Sequence, residues 1–354
     1  MKGNGPEETS RGPIEIAIAC YPGAQETCVY GLSDLFMYAD YFARMHAASC
    51  ASGTPRPVAE GEQPILRTTS WRQTSNVEWP AAYPDDRRPG HETPNVVIVP
   101  AYQLGPPDRD HASETIAWVA RMHAQGAIIA AVCGGVFLLA DSGLLDGRRA
   151  TTHWAFASEF RQRYPQLRLE PESLVIDDGD VVTAGGVLAW ADMGLTLVER
   201  LLGRAVMCST ARFMLMEPPR REQRVYGDFL PWLRHGDEAI VAIQHWLQSN
   251  AHVNTSVAAL AERAGLGSRT FLRRFARATG IKPSDYQQRL RIMRARELLE
   301  CTRRTVEQIA AATGYEDTRG FRRTFKRVVG LSPVEYRSRF QVSSAQAAPG
   351  PATT

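Results

Sequence analysis

Two stretches of this chain are copies of one pattern, and that duplication constrains its fold more than any other feature. LAERAGLGSRTFLRRFARATGIKPSDY (260–286) reappears as IAAATGYEDTRGFRRTFKRVVGLSPVEY (309–336). Phe271, Phe275, Gly280, Pro283 and Tyr286 answer Phe321, Phe325, Gly330, Pro333 and Tyr336 at an offset of 50, and Gly265 answers Gly314 at 49. The second copy therefore has one extra residue between its turn glycine and its Phe pair. Each copy reads as helix–turn–helix. A short first helix packs small apolar residues (Ala258, Leu260 and Ala261; Ile309 and Ala310). Gly265 or Gly314 then takes the left-handed turn that a side chain would oppose. Ser268 or Asp317 is suited to capping the second helix. Thr305 and Gln308 form a capping-box pair ahead of the first helix of copy two.

On the second helices the Phe residues stand four apart, so each pair makes one buried stripe. The opposite face is left to Ser268, Arg269, Leu272 and Arg273 in copy one, and to Thr318, Arg319, Arg322 and Arg323 in copy two. Guanidinium forks on an exposed helix suit guanine edges and phosphates in a major groove. One such helix could equally be a solvated amphipathic surface; two with the same turn and the same Arg face argue for DNA. Charge points the same way. Asp237 to Phe340 holds 19 Lys and Arg against 10 Asp and Glu, a net of +9, while the rest of the chain carries −6, so the overall +3 conceals a basic end. Arg291 lies off both recognition helices and is expected to add no sequence preference if it reaches DNA.

The duplicated region resembles the AraC/XylS-type transcriptional regulators. The likeness extends to Pro283 and Tyr286 leading into RLRIMRARELL (289–299), and to the closing GLSPVEYRSRF (330–340). It implies an all-α domain with two helix-turn-helix motifs joined by a long helix. The recognition helices, 268–277 and 318–327, would enter successive major-groove segments of double-stranded promoter DNA. RNA polymerase is the further partner that the resemblance implies, and activation is the family's commoner role.

Ahead of this region the pattern changes. IEIAIA (14–19), VVIVP (96–100), AIIAAV (127–132) and VVTAGG (181–186) are unalternating apolar runs, suited to parallel strands buried on both faces. Helical patterns at 28–47, 112–125, 135–142, 155–163 and 188–203 lie among them, which predicts an α/β layered domain. Residues 55–107 hold 10 of the 22 prolines and read mostly as loop. Residues 1–13 and 341–354 read as flexible tails and 14–215 as the front domain. Residues 216–236, which open with MEPPRREQRVYGDFLPW, read as a linker, and 237–340 as the helical domain.

The chemical focus of the front domain is AVCGGVFLLADSGLL (131–145). A strand ends at Val132, Cys133 comes next, and a helix begins within two residues. So sharp a turn needs small neighbours, and Ala131, Gly134 and Gly135 supply them. The helix N-terminus is expected to lower the thiol pKa and attract an anion; the other reading is of a small buried hydrophobe. The front domain is similar to the PfpI-like branch of the class I glutamine amidotransferases, through PGAQETCVYGLSDLF (22–36), the Cys133 elbow and GLLDGRRATTHW (143–154). This implies a flavodoxin-like parallel sheet. Joined to the AraC-type module, it is the arrangement of GlxA-type regulators, which respond to small metabolites such as amino acids or quaternary amines.

Departures from the hydrolases matter here. Those enzymes carry His directly after the elbow Cys, where this chain has Gly134, and a Glu near the start of the first helix; Glu26 is close but out of step. A nucleophile needs an oriented base, and nothing in the sequence brings His153 to Cys133. Cys133, Gly134, Gly135, His153 and Glu26 are therefore expected to line an effector pocket, with no catalytic residue. The expectation is a dimeric, effector-controlled DNA-binding regulator; the rival is a Cys-dependent hydrolase or deglycase tethered to DNA. Cys20, Cys28, Cys50, Cys133, Cys208 and Cys301 show no CxxC pair, so neither a disulfide framework nor a metal site is expected, and no cofactor. No apolar run approaches the roughly 20 residues of a membrane span and no signal core is present, so a cytoplasmic protein with no membrane partner is expected.

Overall fold

The computed structural model describes residues 12–52, 63–72, 86–87, 93–103, 105–107, 112–219 and 222–341. The tails read at 1–13 and 341–354 fall almost wholly outside them. The chain divides into two compact units, Met1–Gln223 and Arg224–Thr354.

The front unit runs β1 (Ile14–Cys20), α1 (Glu26–Ser52), β2 (Leu66–Arg72), β3 (Asp86–Arg87), β4 (Val96–Val99), α2 (Ser113–Ala124), β5 (Ile128–Val132), α3 (Val136–Asp141), β6 (Arg149–Ala150), α4 (Ala157–Arg163), β7 (Arg168–Leu169), β8 (Val175–Asp177), β9 (Val181–Ala184), α5 (Trp190–Leu202) and α6 (Arg204–Phe213). The main sheet has the order β3-β2-β1-β4-β5-β9-β8. Every pairing in it is parallel except that of β8 with β9. The four apolar runs are its central strands, and their lack of alternation has a direct cause. Ile16 and Ile18 pack with α1, α5 and α6 on one face, Ala17 and Ala19 with α2, α3 and α4 on the other. Both faces are dry.

Three features differ from expectation. Leu66–Arg72 is a full strand inside the stretch read as loop, and it pairs along the whole of β1, from Ile14 opposite Leu66 to Cys20 opposite Arg72. Its sequence, LRTTSWR, is polar because an outer strand buries less. The second is α6, to which the sequence pattern assigns no element. The linker is the third: its described residues are anchored at both ends, and the division between units falls inside it.

The second unit is helical: α7 (Glu238–Asn250), α8 (Val257–Arg263), α9 (Ser268–Thr279), α10 (Pro283–Cys301), α11 (Val306–Ala312), α12 (Thr318–Val329) and α13 (Pro333–Phe340). Two cores flank α10. Leu290 joins Phe271, Phe275 and Tyr286 in one, and Ile292, Ala295, Leu298 and Leu299 join Phe321, Phe325 and Tyr336 in the other. The four Phe side chains are fully buried, each contributing about 1.5–3 kcal/mol of transfer free energy. Among the described residues no helix is long and apolar enough to cross a membrane.

Candidate nucleic-acid interface and the Cys133 elbow

Local sequence starts and stops the second helix of each motif, α9 and α12. Gly265 and Gly314 have φ of 65° and 83°, the left-handed turn expected of each. Gly314 is doubly constrained, since a Cβ there would lie 2.1 Å from the carbonyl oxygen of His252. Asp317 caps α12, accepting from the amides of Arg319 and Gly320, and those bonds hold its carboxyl below the ordinary range. The capping box of Thr305 and Gln308 is present. Ser268 departs from expectation: Gly267 occupies the cap position and Ser268 is the first helical residue, with its side chain exposed. Gly280 and Gly330 end the two helices in the left-handed region, and Pro283 and Pro333 open the next.

The faces opposite the Phe pairs are those expected. Ser268, Arg269, Leu272 and Arg273 are exposed on α9, and Arg319, Arg322 and Arg323 on α12, with Thr318 half-buried. Leu272 stands out as an apolar side chain 40% exposed among cations. Arg322 is engaged in an exposed ion pair with Glu307 at 2.9 Å. One turn further on, Arg277, Lys326 and Arg327 are exposed too. The sequence reading missed these three, although the i+4 spacing from Arg273, Arg322 and Arg323 was the signal. Arg274, by contrast, is withdrawn from the face by a bidentate pair with Asp237, at 2.7 and 2.8 Å.

Arg291 lies on α10, off both second helices, as the sequence reading had it. It is 9% exposed, donates to the carbonyls of Ala251 (2.6 Å), Val253 (3.3 Å) and Gly314 (3.0 Å) and to Oδ1 of Asn254 (2.8 Å), and so is an internal strut.

In the front unit β5 delivers Cys133 at φ 55°, a strained conformation for any residue with a Cβ. The turn Cys133–Gly135 leads directly into α3, as expected. Its surroundings are not. A Cβ on Gly134 would lie 2.5 Å from the carbonyl oxygen of Gly105, and one on Gly135 2.3 Å from that of Pro100. The backbone at Val99, Pro100 and Gly105 therefore covers the elbow, and Tyr21 secures it by donating to the Pro100 carbonyl at 2.6 Å. Cys133 is 2% exposed. Burial pushes its thiol up to about 12, outweighing the bond from the Gly134 amide that lowers it. The expectation of a lowered pKa is thus corrected: a short, covered helix start does less than desolvation.

His153 is half-buried, its ring against Trp154 and Phe156 and its Nδ1 accepting from the Ala155 amide at 3.1 Å. Burial lowers its pKa, so it is a neutral cap. Glu26 is exposed on the first turn of α1. Among the described residues no hydrogen bond or ion pair joins Cys133 to either. The neighbour that does touch the elbow is Thr152, whose hydroxyl donates to the Cys133 carbonyl at 2.7 Å; it lies in the TTHW motif, where the histidine draws attention away from it.

The thiol's behaviour with pH is testable. Its folded pKa of about 12 exceeds the ordinary 9.0, so the fold favours the neutral form. That contribution is present below pH 9 and lost as pH rises toward 12. Iodoacetamide labelling of Cys133, followed by mass spectrometry from about pH 6 to about 10, is expected to be slow and to show no inflection below pH 9. An inflection near neutrality would demand a thiolate and contradict this environment.

Comparison with known proteins adds family. Residues 260–339 match the model of a helix-turn-helix domain and residues 89–200 that of the DJ-1/PfpI family. The HTH-type transcriptional regulator CdhR of Pseudomonas aeruginosa is 30% identical over 206 residues, 57% of this chain and 60% of that protein. The HTH-type transcriptional regulator GlxA of Rhizobium meliloti is 27% identical over 213 residues, 59% of this chain and 65% of that protein. Isonitrile hydratase of Pseudomonas putida is 36% identical over 111 residues, 31% of this chain and 46% of the enzyme. The chain thus spans less than two thirds of the length of each of these relatives.

Proposed function

This chain joins a DJ-1/PfpI-family domain to an AraC-type helix-turn-helix domain, as GlxA-type regulators do, and from that arrangement we propose that it is a sequence-specific transcriptional regulator, an activator, acting in the cytoplasm under control of a small metabolite. The observation that carries the reading is the pair of recognition helices with the same buried Phe stripe and the same exposed Arg face. Arg269, Arg273, Arg319 and Arg323 address guanine edges or phosphates, and Leu272 suits a thymine methyl. The effector, an amino acid or quaternary amine, acts at the elbow of Cys133, Gly134, Gly135 and His153, where entry requires the covering segment to move. Glu26, exposed beyond it, lies at the outer margin of that proposal.

Arg273→Ala and Arg323→Ala are each expected to weaken specific binding by about 1–3 kcal/mol. Wild-type affinity should fall steeply as salt rises, because the +9 segment displaces counterions. Fluorescence anisotropy with a duplex selected in vitro by this chain, against a scrambled competitor, measures both. Equal losses on the two duplexes would reduce these side chains to phosphate contacts, and salt-independent affinity would contradict the reading itself.

A homodimer is proposed from an exposed apolar patch. Phe213 (58% exposed) contacts the rings of Tyr38 and Phe42, and Tyr41 (41%) contacts Phe42; Met37 (55%) and Leu215 (93%), exposed within two residues of these in the sequence, extend the apolar surface. Sedimentation velocity is expected to give a dimer, and the Phe213→Ser, Leu215→Ser double variant a monomer. A wild-type monomer at all concentrations would remove this part.

The rival, a Cys-dependent enzyme, has the isonitrile hydratase similarity in its favour. Against it stand the buried neutral thiol and the absence, among the described residues, of a base bonded to it.

A further inference from the structure

The two motifs of the helical unit are copies, so the places where they differ inform as much as those where they agree. Three of the four face positions keep their chemistry: Ser268 answers Thr318, Arg269 answers Arg319 and Arg273 answers Arg323, each at the offset of 50. The fourth does not. Leu272, 40% exposed, stands where the second copy has Arg322. A second difference accompanies it on the preceding helix. α8 and α11 are both seven residues long, and each follows a hydroxyl cap, Ser256 accepting from the Ala259 amide and Thr305 from that of Gln308. At the second position of these helices the first copy has Ala258 and the second Glu307. One motif therefore carries an alanine and a leucine where the other carries a glutamate and an arginine.

The charged couple is joined across its two helices, Arg322 Nη2 donating to Glu307 Oε1 at 2.9 Å. Both side chains are more than half exposed, so the pair adds little to stability. An acid bonded to a DNA-reading face also repels phosphates on every sequence alike, a cost that only selectivity repays. What the carboxylate does is hold the fork. It sits in the first turn of α11, where its own amide and the Thr305 hydroxyl bind it and keep it below the ordinary carboxylate range, with Arg322 adding to the effect. The bond occupies one of the five N–H groups of Arg322 and leaves a pair that can meet the O6 and N7 of guanine. Leu272 has no donor, and the base edge it suits is the thymine methyl.

We propose that positions 272 and 322 are where the two motifs read different bases, thymine through Leu272 and guanine through Arg322, and that Glu307 is the positioning residue that aims the Arg322 fork. The inference rests on reading the chain as a DNA-binding regulator and names what distinguishes the two halves of its site.

The test is selection from a random duplex pool by the full chain and by the paired variant Glu307→Ala, Arg322→Leu, which gives the second motif the couple of the first. One base pair of the selected site is expected to change from G·C to T·A, with the other enriched positions kept and circular dichroism unchanged. Anisotropy should show each protein preferring its own duplex by at least about tenfold. The same site enriched by both proteins would overturn the assignment of Arg322. Glu307→Ala alone tests the positioning. Discrimination for guanine at that base pair should fall at least about fivefold. Affinity for scrambled duplex should rise and its salt dependence steepen by about one counterion, because the freed guanidinium reaches a phosphate. Unaltered discrimination in this variant overturns the role of Glu307. Should the wild-type chain enrich no sequence at all, the regulator reading itself fails; enrichment by the wild type with an unmoved variant sinks this inference alone.

Discussion

Arg291→Ala is expected to abolish DNA binding by the full chain, on every sequence alike, although the residue is on neither recognition helix. Its guanidinium joins the loop between α7 and α8 (Ala251, Val253, Asn254) to the turn glycine of the second motif, Gly314. Tyr315 packs its ring beneath the group, 5.6 Å from centroid to Cζ. Removing the side chain leaves the Gly314 carbonyl and Asn254 Oδ1 without this donor, leaves the Ala251 and Val253 carbonyls to Gln287 alone, and opens a void beside a half-buried ring. Hydrogen bonds from a charged donor are worth about 1.5–3 kcal/mol apiece, and breaking such a buried network costs about 3–5 kcal/mol. Lys supplies no planar fork, so Arg291→Lys should recover only a minor part. Urea unfolding followed by circular dichroism measures the loss, and anisotropy the binding. A variant as stable as wild type, with only a modest, sequence-independent loss of affinity, would instead make Arg291 a phosphate contact.

Gly134→His would place the histidine of the active hydrolases directly after the elbow cysteine, and it is expected to destabilise the front unit without creating an enzyme. The new Cβ would approach the Gly105 carbonyl oxygen at 2.5 Å. Backbone on a covering segment cannot step aside as a side-chain tip can, and forced overpacking costs about 1–3 kcal/mol before the imidazole itself is accommodated. About 3 kcal/mol corresponds to a fall of roughly 6–12 °C in Tm for a unit of this size. Calorimetry reads the stability, and turnover of amide and glyoxal substrates reads the chemistry. Should the variant fold normally and gain Cys133-dependent turnover, the elbow would be a lapsed active site one residue from recovery.

Turn glycines, caps and stripes were readable because each depends on neighbours within a few residues. Gly265 and Gly314 need no partner to prefer φ above zero, and Asp317 caps a helix it begins. Even here Ser268 slipped by one position, since Gly267 caps through its backbone conformation alone. The β2 strand escaped because its sequence, with two Thr, two Arg and a Ser among seven residues, lacks the apolar run that marks a central strand. The elbow was recognisable by its small residues, but its accessibility was not. Those same glycines admit a covering backbone as readily as a ligand.

By itself the sequence determined the two-part architecture, the duplicated motif and the residues its helices expose, because helical and strand periodicities are local and the Phe stripes orient every other position by geometry. Only the tertiary structure decided what lies against what. The partners of Arg291 are 23 to 40 residues away, those of Gln223 are 50 to 72, and Gly105 meets Gly134 from the far side of α2 and β5 in the sequence. A buried Arg and a surface Arg look the same in a basic segment, and a Gln in a Pro- and charge-rich connector looks like solvent-facing chain. Burial is a property of the packed fold, and periodicity carries no record of it where a polar side chain finds its hydrogen bonds far along the chain.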